Sequence, residues 1–201
     1  MSHSLRGDRG QTLPIYIWLT GILLFAAFAF FAFAQAASAR NGAQSAADAA
    51  ALAAAQDARD ELVDGLTAAV GTDDQWLDWL DGDQFEGAGA SAAAARLAAA
   101  NDSTVQGGAQ RTVVNGFPGY HVAIETRYTV GDSIIPGTEN RHAKAQATAV
   151  VEPRCTFAAD ADPTKLVQLD CDGRLVDIDP EDFDSDDLPD ASVLFSVHLA
   201  E

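Results

Sequence analysis

Between Arg9 and Arg40 the chain carries no charged side chain, and most of that interval is apolar: QTLPIYIWLTGILLFAAFAFFAFAQAASA. Nothing else restricts the fold as strongly. Residues 13–34 make a run of about 22 positions. At about 1.5 Å rise per residue a helix of that length reaches about 33 Å, against a hydrocarbon core of about 30 Å. A lone segment crosses lipid only as a helix, because it must satisfy its own backbone hydrogen bonds. Pro14 falls in the first turn, where its missing N–H is tolerated. Tyr16 and Trp18 stand near the start, where amphipathic rings favour the membrane interface. Two other readings compete. A cleaved secretory signal has a shorter apolar region of about 7–15 residues before a small-residue site, although Ala34, Ala36, Ala37 and Ala39 could supply such a site. A buried helix of a soluble protein would need apolar cover that the rest of the chain does not offer. The length fits a permanent anchor.

Charge sets the expected orientation. Arg6 and Arg9 precede the span, opposed only by Asp8, and beyond Arg40 the chain turns acidic. Basic flanks stay in the cytoplasm, so a single-pass protein of a bacterial cytoplasmic membrane is expected, N-terminus inside and C-terminal domain outside. The formal net charge of −18 argues against a nucleic-acid partner, which needs Lys and Arg for its phosphates. It also argues against a domain lying flat on anionic lipid. The two cysteines, Cys155 and Cys171, both follow the span. Outside the membrane such a pair reads as a disulfide closing a loop of about 15 residues, worth about 3 kcal/mol in the chain-entropy picture. The histidines (His3, His121, His142, His198) do not cluster with them, which leaves a metal site without further ligands.

The apolar span runs on into ARNGAQSAADAAALAAAQDARDELVDGL. Alanine is the best helix former, and only Gly42 weakens the run before Gly65. The helix is therefore expected to leave the bilayer as an Ala-rich stalk over residues 40–64. Asn41, Gln44, Asp48 and Leu52 recur at helical spacing on one face, and the alanines around them would let another helix approach closely. A plain rigid spacer fits the same composition. Next, Trp76, Leu77, Trp79 and Leu80 group as a short helix and local hydrophobic plug, with Asp73 or Asp74 as its cap. Glycines at 87 and 89 break the chain, residues 91–100 read as a second Ala-rich helix, and residues 102–110 as a loop.

From Arg111 the period changes to two. Tyr120, Val122, Ile124, Thr126, Tyr128 and Val130 alternate with His121, Ala123, Glu125, Arg127 and Thr129, the pattern of a half-buried strand. Asn115 with Gly116, and Pro118 with Gly119, supply turn chemistry, which makes residues 111–114 a hairpin partner. Pro136 and Gly137 mark the next turn, and residues 141–151 a third strand. Residues 165–169 and 174–177 flank DCDG as a small hairpin, and Val193, Phe195, Val197 and Leu199 alternate again. The fold class is α+β: one long N-terminal transmembrane and stalk helix, then short helices and a small antiparallel β-sheet domain. The division runs 1–12 basic N-terminus, 13–39 transmembrane helix, 40–64 stalk, 65–110 short helices and loop, 111–201 acidic sheet domain.

In residues 177–190, DIDPEDFDSDDLPD, the carboxylates of Asp182, Asp184 and Asp186 match the first three positions of a calcium loop. Leu188, Pro189 and Asp190 follow without its glycine, so a solvated acidic loop is the default. The chain has no G-x-S-x-G, P-loop, H-E-x-x-H or CxxC. A non-enzymatic protein with no cofactor, no resident metal and no small-molecule substrate is expected.

DRGQTLP, a single long apolar span and RNGAQSAADAAALAAAQ, in that order, resemble the N-terminal region of tight-adherence (Flp) pilus-assembly proteins of the TadE/TadG type, the TadG-like branch in particular. The resemblance covers residues 6–55. It implies a pilus-assembly or minor-pilin-like component whose partners are the lipid bilayer and pilin-like or Tad-system membrane proteins. It also implies a prepilin-type cleavage junction at Gly10 and Gln11, although the fifth residue after it is Ile15, where pilins carry glutamate. The alternative is an independent surface-displayed binding domain, calcium-dependent through the acidic loop, on a pilus-like anchor.

Overall fold

The computed structural model describes residues 12–129 and 140–200. The basic flank, the junction at Gly10 and Gln11, and the turn expected at Pro136 and Gly137 lie outside the described residues.

One helix, α1 (Thr12–Ala69), runs unbroken for 58 residues. It passes through Gly42 and Gly65, the two positions expected to weaken it. Each glycine makes room for an aromatic side chain: a Cβ at Gly42 would collide with the Tyr128 hydroxyl, and one at Gly65 with the Trp79 ring. The helix changes character along its length. Residues 13–38 have no buried side chain. From Ala39 onward the helix enters the domain, with Ala43, Ala46, Ala47, Ala50, Ala51, Ala54, Ala55, Ala58, Leu62 and Leu66 in its core. The stalk expected over residues 40–64 therefore does not stand free. Its alanines are the small side chains that let helix and sheet backbones approach, and so they form the domain's own core.

The second Ala-rich helix, α2 (Ala90–Ala100), packs beside α1. A four-stranded antiparallel sheet of order β1-β2-β3-β7 covers both, built from β1 (Ser103–Val114), β2 (Phe117–Thr129), β3 (His142–Pro153) and β7 (Phe195–Leu199). Tyr120, Val122 and Ile124 of β2 face the helices opposite Ala149, Ala147 and Ala145 of β3. Alanine is a poor strand former. These are tolerated in β3 because α1 packs directly on that strand. Thr126 is buried at an irregularity between β2 and β3, where its Oγ1 accepts the Ala143 N–H at 3.0 Å and donates to the Tyr128 carbonyl at 2.7 Å.

Asn115 (φ 54°) and Gly116 (φ 90°) form the expected hairpin turn, both residues left-handed as a primed turn requires. Two local expectations are corrected. Residues 102–110 are not a loop, since β1 begins at Ser103. The glycines at 107 and 108, both at positive φ, make a bulge within it rather than end it. Pro118 and Gly119 are not a turn but lie inside β2, where a Cβ at Gly119 would meet the Ala149 carbonyl.

A second sheet, β4 (Cys155–Thr156), β5 (Val167–Cys171) and β6 (Arg174–Ile178), sits beside the first. The Cys155–Cys171 disulfide joins β4 to β5 with Cα atoms 4.0 Å apart, and Asp172 with Gly173 turns the β5–β6 hairpin. Trp76, Leu77 and Leu80, on a 3₁₀ turn (Trp76–Asp81), are buried as the expected plug. Trp76 Nε1 donates to the Pro163 carbonyl at 2.8 Å. No side chain caps that turn. Asp73 instead accepts the Gln75 N–H at 2.9 Å just ahead of it. A single helical turn, α3 (Ala191–Leu194), leads into β7.

Candidate functional site

Among the described residues, most of the exposed large hydrophobic side chains lie on the exposed half of α1. Trp18, Phe30 and Phe33 are about three-quarters exposed, and Leu13, Ile15, Leu23, Phe25, Phe28 and Phe31 also point outward. The apolar stretch has a mean hydropathy of 2.3 and none of it is buried within the protein. A contiguous apolar surface of this size marks a membrane or protein interaction site. Its length suits a bilayer, and Arg40 stands at its far end, beside the first buried residue of the domain, Ala39.

The expected helix-packing stripe lies just beyond. Asn41 and Gln44 stay exposed, Asp48 is half-buried, and Leu52 packs against the core. Gln44 Nε2 donates to Asp48 Oδ1 at 2.7 Å and reaches the Gln146 carbonyl of β3 at 3.4 Å. That carbonyl belongs to the part of β3 below the pairing with β7, which spans Ala149 to Pro153. Gln44 therefore offers a donor to an otherwise open sheet edge, at a cleft of about 440 Å³ lined by Gln44, Asp48, His121, Thr148 and Leu199. The stripe thus meets the subunit's own sheet and core through Gln44 and Leu52, while Asn41 stays exposed. The longest stretch of α1 without a buried side chain lies earlier, in residues 13–38.

Two further polar clusters hold the fold together. Glu61 accepts the N–H groups of Glu86 and Gly87 at 2.7 and 2.9 Å, and Asp57 lies against Gly89 at the start of α2, where a helix N-terminus favours negative charge. The Tyr120 hydroxyl fills the space beside Gly87. Burial raises its pKa, Arg111 opposes that shift, and Glu61 and Asp57 add to it. The Arg111 guanidinium stacks 4.5 Å from the Phe85 ring. These contacts left no mark in the local sequence pattern, where the glycines at 87 and 89 read simply as a chain break.

At the other end of the domain, Asp162 is held below the usual carboxylate range, chiefly by its bond to Lys165 and then by Thr164, and Lys165 is raised in return. The candidate calcium residues Asp182, Asp184 and Asp186 do not converge. Asp184 caps a short 3₁₀ turn in a reciprocal box with Asp187. Among the described residues no group of three His, Cys, Asp or Glu side chains is placed to hold a metal ion.

Residues 10–57 match the family model described as putative Flp pilus-assembly TadE/G-like. No match was found among curated proteins or among solved structures. The resemblance expected over residues 6–55 is thus borne out for the N-terminal segment. That segment contains the whole exposed span and the first turns of the buried half of α1, and it leaves the sheets outside the match. The match supports involvement in Flp pilus assembly, a process with membrane-associated partners. Together with the exposed apolar helix it marks a membrane-anchored protein.

Proposed function

With the TadE/G-like segment as premise, we propose that the chain is a non-enzymatic, minor-pilin-like or assembly subunit of a tight-adherence (Flp) system. One observation carries this reading. The same unbroken helix is bare and apolar over residues 13–38 and buried in a folded domain from Ala39 onward. Such a subunit holds its domain rigidly on a helix that lipid or neighbouring helices must cover. Close packing of helices in lipid relies on small side chains, and Gly21, Ala26, Ala27, Ala29 and Ala32 supply them among the phenylalanines. The N-terminus faces the cytoplasm and the domain lies outside, a placement supported by Arg6 and Arg9 before the span. The disulfide suits an oxidising exterior.

The test is deletion of the gene followed by counting surface filaments, with complementation by the intact chain and by one whose Phe25, Phe28 and Phe31 are all alanine. Loss of filaments, restored by the intact chain alone, supports the role. Unchanged filaments, with no pilin-like protein co-purifying through the span, would overturn it.

A further inference from the structure

Because α1 enters the domain only about 5 residues, or about 8 Å, past the end of its apolar run, the domain has no stalk to lift it off the membrane. The headgroup layer on each side is about 5–8 Å thick, so the near end of the domain falls at its outer edge. Which end that is follows from two contacts. Tyr128 meets α1 at Gly42, whereas Tyr120 lies by Asp57 and Glu61. The strand between the two tyrosines covers about 27 Å and the helix between Gly42 and residue 59 about 26 Å, so β2 runs antiparallel to α1 and its C-terminal end points back at the bilayer. His142 of β3 is paired with Thr129 at that same end, and its Nδ1 lies 3.1 Å from the Tyr128 carbonyl.

The side chains displayed there differ from those of the rest of this acidic protein. Arg40, Arg127, Tyr128, Arg141 and His142 are all exposed. Of the nearby carboxylates among the described residues, Glu125 is ion-paired with Lys144 at 3.6 Å, and Asp102 lies where its carbonyl accepts the Arg127 N–H at 2.7 Å. Guanidinium groups bind phosphate bidentately, and tyrosine favours the headgroup level.

We propose that this end of the domain is a membrane seat: Arg40, Arg127 and Arg141 contact phospholipid phosphates of the bilayer that α1 crosses, with Tyr128 at the same level. The seat works through individual arginine–phosphate contacts rather than through a net positive field. The domain stands end-on, which reconciles a charge of −18 with contact at a lipid surface. The inference rests on the membrane-anchored reading.

The experiment uses the full chain, disulfide intact, in phosphatidylglycerol/phosphatidylethanolamine vesicles. A fluorophore is placed on Asn140→Cys at the seat, on Glu181→Cys at the far end beside Gly71, or on Phe25→Cys in the span. Nitroxide on lipid headgroups is expected to quench most of the Asn140 signal and none at Glu181, and Arg127→Gln with Arg141→Gln should relieve the quenching at Asn140. Quenching of Phe25 by acyl-chain nitroxide, with Asn140 untouched by the headgroup label, would overturn the seat and leave the anchor standing. No quenching at any site would overturn the anchor, and the seat with it. Unrelieved quenching in the double arginine variant would overturn the arginine contacts.

Discussion

Gly65→Ala sets two well-characterised effects against each other. In an ordinary helix interior, alanine is worth about 1 kcal/mol more than glycine, and on that ground the change should stabilise α1. Here the new Cβ would fall 2.0–2.5 Å from three carbons of the Trp79 ring. That ring is rigid, and it sits on a turn anchored by buried Trp76, Leu77 and Leu80, so it cannot move aside without giving up its packing on α1. Overpacking of this kind costs about 1–3 kcal/mol. The net expected result is a loss of about 1 kcal/mol, which for a chain of this size lowers Tm by about 2–4 °C. In a Trp79→Ala background the collision is gone and the propensity gain alone remains, so the same Gly65→Ala change should raise Tm. Circular-dichroism melts of the four proteins in detergent micelles measure both effects and their coupling. A higher Tm for Gly65→Ala beside the intact Trp79, or an equal shift in both backgrounds, would refute the close approach of indole to helix.

Leu62→Ala removes a fully buried side chain from the centre of the helix–sheet core and should cost about 2–5 kcal/mol in chemical denaturation. Replacing both Cys155 and Cys171 by alanine opens a link between residues 16 apart and should cost about 3 kcal/mol on the chain-entropy account, read as a lower denaturation midpoint that reductant does not shift further. Asp81 is raised above 3.8 by burial, then by Asp83 and Asp78. A raised folded-state value in an acid means that stability falls as pH rises from the unfolded value through the folded one. Asp81→Asn should therefore raise Tm at neutral pH and lose that advantage below pH 3.8, as paired melts at the two pH values would show.

Much of the fold could be read from local chemistry. The apolar run dictated a long helix, and the alternation from Tyr120 to Tyr128 dictated β2. Asn115 with Gly116 and Asp172 with Gly173 fixed two hairpins, because those turns need left-handed backbone that Asn, Asp and Gly adopt most readily. The oxidised pair Cys155 and Cys171 also emerged as read. What stayed hidden was tertiary. Gly42, Gly65 and Gly119 look like breakers in one dimension, yet each marks a close approach by a residue far away in sequence: Tyr128, Trp79 and Ala149. The alanines of residues 43–58 looked like a spacer because alanine is equally suited to solvent and to tight packing, and only the matching alanines of β3 decide between the two. At the candidate site, the apolar span was legible from length alone. In the stripe from Asn41 to Leu52, Gln44 reaches the open edge of the protein's own β3, a neighbour that helical spacing alone does not reveal.

The central claim is that residues 13–38 are the surface through which this subunit meets its protein partners. Photo-crosslinking in native membranes tests it most directly, with a photoreactive residue at Trp18, Phe25 or Phe30, all exposed, and at buried Ala50 as the internal control. The account predicts adducts with pilin-like or Tad-system membrane proteins from the three exposed positions and none from Ala50. Adducts with lipid alone at all three, or protein adducts from Ala50, would contradict it.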